Sequence, residues 1–244
     1  MAYEDYLQHR KSLIDLGTVV RSYATRLVPA LPRDSVDNFA GALRDTLPGF
    51  ITEFGSVAGS IGVDYYSSLR SKSGVAGRFI PTIAPLNASA AANTAVSFLA
   101  KTFVDKSGNI TNLQTNLGDE LQRSVVGIER DTIFTNSIND TAVTLYQRVA
   151  SADSCEFCSM VAFDPELTRE YPTQYHRNCF CTVEPVFRGQ SAIRPDYYDG
   201  FSEQYYQAVG QLDPLDRSTE NILAKVREIR TSEDVAADLR AAGQ

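Results

Sequence analysis

The sequence predicts an α+β fold: a mainly helical N-terminal region, a small α+β domain around a cysteine/histidine cluster, and a partly helical tail. Three observations lead there. Apolar residues recur at helical spacing through about the first 135 positions. The pattern turns to alternation near residue 143, and all four cysteines lie between Cys155 and Cys181. The implied division is a helical domain over 1–116, an α+β domain over 117–190 and a tail with one or two helices over 191–244.

Leu13, Leu16, Val20, Tyr23 and Leu27 form one apolar stripe, which predicts a first helix ending before Pro32. Asp34 or Ser35 can cap the next, which carries Val36, Phe39 and Leu43. Pro48 suits the first turn of a third helix, with Phe50, Phe54, Val57, Ile61, Tyr65 and Leu69 on one side. Residues 71–87 hold two glycines and two prolines and read as a turn-rich connector. A helix rich in small residues follows, then a break at Ser107-Gly108-Asn109. A further helix carries Leu117, Leu121, Val125 and Ile128. Helical segments joined by short connections argue for an all-α region.

Beyond it, Val143, Leu145, Gln147 and Val149 alternate as a strand does, with Tyr146 on the other face. A second strand is expected over 179–187, which would place Cys179 and Cys181 on one pleat face. In the tail, Tyr197, Tyr198, Tyr205 and Tyr206 form either a docking strip or a set of rings packed back on the chain. Ser218 can cap a helix carrying Ile222, Leu223, Val226 and Ile229.

The net charge of −7 argues against dominant phosphate binding, which needs a basic face. Charge is uneven: 11 basic against 9 acidic residues over 1–116, 6 against 11 over 117–190, and 6 against 10 over 191–244. Such a balance suits a protein that meets other proteins. No apolar run approaches membrane-spanning length, and charge interrupts the first twenty residues, so neither a membrane span nor a signal peptide is expected.

The chemistry sits in one pattern: Cys155-x-x-Cys158, then His176-x-x-Cys179-x-Cys181. A CxxC turn presents two thiolates to one ion, and a second pair closes the tetrahedron that zinc prefers. Five groups compete for four positions. The four cysteines would give one ligand set, and His176 in place of Cys179 or Cys181 another. Two disulfides among the same sulfurs are the alternative. A redox role lacks the expected βαβ context, and no HExxH or equivalent supplies a catalytic zinc with its base. Glu156, Asp164, Glu166 and Glu170 read as an acidic, solvent-facing surround. His9 reads as a solvated residue on the polar side of the first helix. No phosphate-binding glycine loop or nucleophile elbow is present, so no catalytic residue is assigned.

The stretch RDTIFTNSINDTAVTLYQRVASADSCEFCSM, followed by YHRNCFCTVEPVF, resembles the C-terminal domain of phage Mu F-like minor head proteins, in the actinobacteriophage branch. The upstream DYYSSLR, glycine-rich turn and PTIAP segment resemble that branch's N-terminal region. The likeness is motif-specific over about 130–187 and silent beyond 188. It implies a minor capsid or head-morphogenesis protein, assembled in the host cytoplasm and packaged in the virion, inside the capsid or at the portal vertex. Its partners would be portal or major capsid protein, with a homo-oligomer also open and packaged DNA met only weakly or indirectly. The family's ligand pattern falls on Cys155, Cys158, His176, Cys179 and Cys181, while the loop VAFDPELTREYPTQ departs from it. Some members are labelled capsid maturation proteases, so a maturation protease or other hydrolase is one alternative. A nucleic-acid-binding structural module, in which a metal site folds a recognition loop, is a separate one. The sequence supplies no protease nucleophile or base, and the expected role is non-enzymatic.

Overall fold

The computed structural model describes residues 2–152, 154–163, 168, 176 and 179–242. The protein is α+β and mostly helical, with one two-stranded sheet. The chain sorts into two compact units, one of residues 1–146 with 173–191 and one of 147–172 with 192–244.

The first unit holds four long helices: α1 (Ala2–Ala30), α2 (Val36–Lys72), α3 (Ala88–Asp105) and α4 (Ile110–Asn139). The α1 stripe is where spacing puts it: Leu13, Val20, Ala24 and Val28 are fully buried, with Tyr23 and Leu27 packed beside the core. Ser35 caps α2, its Oγ accepting from the Asn38 N–H at 3.2 Å. Asn109 caps α4 in the same way, and Gly108 supplies the left-handed turn (φ 67°) before it.

The expected break at Pro48 does not occur: α2 runs unbroken through it, and four helices make up this region among the described residues. A proline inside a helix costs about 3 kcal/mol. Here Leu43, Leu47, Phe50 and Ile51, on both sides of Pro48, are buried in one core with α1, α3 and α4 residues, which holds the axis continuous.

Helix α4 is the centre of the unit and packs against α1, α2, α3 and the second strand. Its polar residues do the joining. Thr132 Oγ1 accepts from the Ala84 N–H at 3.1 Å, and Asn136 brackets Thr82, accepting from its N–H and donating to its carbonyl. These bonds seat the connector as an extended strap. The strap needs small residues beneath it: a methyl at Gly59 would meet the Ile83 side chain at 2.4 Å.

Strands β1 (Val143–Val149) and β2 (Thr182–Phe187) pair in the sheet. Val183 and Phe187 of β2 are buried with Tyr65, Tyr66, Leu69 and Ile133. The second strand is three residues shorter than expected. Cys179 and Cys181 precede it, and their carbonyls accept from the Arg130 guanidinium rather than from a strand partner.

The second unit contains α5 (Glu156–Phe163), α6 (Tyr198–Gln211) and α7 (Thr219–Ala242). Met160 of α5, Ala208 of α6 and Ile222, Val226 and Ile229 of α7 form its core. Ser218 caps α7 through the Asn221 N–H. Most of the tyrosines pack back on the chain. Tyr197 donates to the Ala150 carbonyl at 2.8 Å, Tyr198 accepts from the Ala150 N–H at 2.9 Å, and Tyr205 meets Phe163 edge-on. Tyr206 is 65% exposed.

Candidate metal centre

Each cysteine pair is shaped by its own local structure. Cys155 stands just ahead of α5, where the first helical N–H groups lack intrahelical partners. Its Sγ accepts from the Cys158 N–H at 3.5 Å, and its carbonyl accepts from the Ser159 N–H at 3.0 Å. The CxxC spacing therefore lets a sulfur cap the helix that carries the second sulfur. Cys158 is fully buried, and the equally buried Arg148 donates to its Sγ at 3.5 Å while lying over the Phe157 ring.

The other pair is held from α4. Arg130, fully buried, donates through Nε to the Cys181 carbonyl at 2.8 Å and through Nη2 to the Cys179 carbonyl. Two anchored carbonyls fix the backbone on either side of Phe180. The Cys181 N–H donates to Cys179 Sγ at 3.4 Å, and the Cys179 N–H donates to the His176 carbonyl. Cys179 and Cys181 are buried and His176 is exposed.

Ligand atoms of Cys155, Cys158 and His176 lie within 4.8 Å of one another, as do those of Cys158, Cys179 and Cys181. Cys158 belongs to both groups. No disulfide joins any of the four cysteines, so the disulfide alternative is not realised. N–H groups donate to three of the four sulfurs, two from the backbone and one from a guanidinium. Such donors favour the thiolate, the form a metal binds. Soft sulfur donors with one imidazole in reach make a set that suits zinc. Of the acidic surround, Glu156 forms an ion pair with Arg227, which together with its own backbone N–H outweighs burial and holds its carboxyl below the usual range. Asp164, Glu166 and Glu170 lie outside the described residues.

His9 is not solvated. It is 5% exposed, its Nε2 lies 2.9 Å from Glu129 Oε1, and its ring stacks on Tyr65 at 3.7 Å between centroids. The α1 stripe, continued one turn back from Leu13, runs through His9 and Tyr6, and that was the available signal. Beyond Tyr65 the network reaches Glu184, which accepts from Tyr65 Oη and Thr182 Oγ1 at 2.7 Å each. Burial pushes the Glu184 carboxyl up to about 7, against the pull of His9 and its hydrogen bonds. Burial alone would lower the His9 imidazole, but the Glu129 charge and hydrogen bond and the Glu184 charge raise it above 6.5.

Both groups hold their protons more tightly folded than unfolded. Their stabilising contribution is complete at low pH and is lost as pH rises through the folded values. The melting temperature is therefore expected to fall by several degrees from about pH 5.5 to about pH 8.5. Glu184→Gln, which keeps an acceptor without a charge, is expected to flatten most of that slope. Calorimetry across the range checks both, and a slope unchanged in the variant would contradict the assignment.

Among the described residues no helix is long and apolar enough to cross a membrane. No curated protein and no solved structure matches the chain. The family model described as VG15 protein matches residues 2–208, from α1 through most of α6. The chain belongs to the VG15 protein family, a phage virion-gene family, and is a phage protein.

Proposed function

We propose that the protein is a minor capsid or head-morphogenesis component of a tailed phage, related to the Mu F-like branch that its cysteine motif resembles. In this reading it is a non-enzymatic structural part. The helical region offers the surface for portal or major capsid protein, and a structural zinc ion stiffens the segment between Cys155 and Cys181. The observation that carries it is the cysteine/histidine cluster inside a chain of a phage virion-gene family. The metal-free core around that segment is modest: β2 relies on six buried residues shared with α2 and α4, and α5 is eight residues long. Small cores of this kind are commonly stabilised by a metal.

The ligands would be Cys158 with three of Cys155, His176, Cys179 and Cys181. Zinc would supply folding free energy rather than a reactive water, since four protein ligands leave no open position. Quantitative mass spectrometry of purified particles tests the placement. The chain is expected there in few copies relative to the major capsid protein, and its absence from complete particles would overturn the proposal. Trimming of co-expressed major capsid protein that depends on Cys179 or His176 would instead favour the protease alternative.

A further inference from the structure

We infer that helix α7 is a clamp on the CxxC turn, with Arg230 as its positioning residue, so that zinc loading and docking of the C-terminal helix are coupled. The inference rests on the zinc reading above, and the contacts that carry it lie within the second unit. The family match ends at residue 208, before α7 begins at Thr219. Yet α7 makes direct polar contacts to the CxxC turn.

Ile222, Val226 and Ile229 bury one face of α7 against Met160 and Ala208. That registration delivers the next residue, Arg230, to the turn. Its Nη1 donates to the Ser154 carbonyl at 2.8 Å and its Nη2 to Ser159 Oγ at 2.6 Å. Ser154 and Ser159 immediately flank Cys155 and Cys158. The two serine hydroxyls lie 3.1 Å apart, and Ser159 Oγ also donates to the Cys155 carbonyl at 2.9 Å. One guanidinium thus fixes both ends of the segment that bears the two sulfurs. Its plane is held by Gln204 Oε1, which accepts from Nε at 2.8 Å, and by the Phe201 ring beneath it. One turn earlier, Arg227 pairs with Glu156 inside the CxxC sequence itself.

A flexible CxxC turn must be ordered when metal binds, and a clamp that has already ordered it lowers that cost. Groups that orient metal ligands typically change metal affinity 10- to 100-fold when removed. Coupling is reciprocal, so zinc must tighten α7 by the factor by which α7 tightens zinc.

The test uses the full-length chain under reducing conditions. Arg230→Ala is expected to weaken zinc binding about 10- to 100-fold by chelator competition. Lys225→Ala, which removes the ion pair with Glu228 on the same helix, is expected to leave it unchanged. Arg230→Lys can serve one of the three acceptors and is expected to recover part of the affinity. Ser159→Ala removes the bridging hydroxyl without touching the α7 apolar face. Its effect should be non-additive with Arg230→Ala. Wild-type zinc affinity in Arg230→Ala, or additive losses in the double variant, would overturn the clamp. A wild-type chain that takes up no zinc would overturn the metal reading instead. The clamp would then be judged on the metal-free protein. Faster thiol modification of Cys155 and Cys158 in Arg230→Ala supports it, and unchanged rates overturn it.

Discussion

Replacing Cys158 by alanine is expected to abolish zinc binding and unfold residues 140–187, while α1 to α4 keep their helical signal. Cys158 is the one cysteine common to both ligand groups, so no alternative set of four includes both groups without it. Structural zinc contributes on the order of 10 kcal/mol of folding free energy, comparable with the whole stability of a typical domain. The substitution also removes the sulfur that accepts from the buried Arg148, and burying a charge with fewer partners adds to the loss. The α1–α4 core is built from residues between Leu16 and Val125 and contains none of the ligands. The loss should therefore be confined. Thermal unfolding followed by far-ultraviolet circular dichroism, with hydrogen exchange to locate it, checks this. An unaltered melt would contradict it.

Arg130→Ala is expected to be strongly destabilising without touching a ligand. The side chain is fully buried in α4 and satisfies the carbonyls of Cys179 and Cys181 together. Its loss removes a charged donor from two buried carbonyls, at about 1–3 kcal/mol each, and opens a cavity. A total of roughly 3–5 kcal/mol is expected, the range for breaking a buried charged contact. Arg130→Lys should rescue little, because one ammonium cannot reproduce a planar fork that meets two carbonyls at once. Denaturant midpoints of the three proteins measure the cost, and a lysine variant as stable as wild type would refute the two-carbonyl anchor.

What sequence reveals here is periodicity, and what it hides is tertiary partnership. The stripe of α1, the Ser35 and Ser218 caps, β1 and the five ligand-type residues are all legible because each depends on spacing along the chain. Pro48 misleads because local propensity favours a helix start, whereas burial of Leu47, Phe50 and Ile51 in one core overrides it. The N-terminal limit of β2 misleads because Arg130, some fifty residues away in sequence, takes the carbonyls a strand neighbour would have used. His9 is misread as solvated because histidine is polar. Its burial is explained only by Glu129 and Tyr65, which no window around residue 9 contains. The clamp of Arg230 on the CxxC turn is of the same kind.

The reading on which the rest depends is one structural metal ion held by the cysteine/histidine cluster. It is tested most directly by counting zinc in the full-length chain purified under reducing conditions, beside the Cys158→Ala variant. One zinc per chain in the wild type and none in the variant is the predicted result. A wild-type chain that holds no zinc and keeps its 140–187 segment protected from hydrogen exchange after chelation would contradict it.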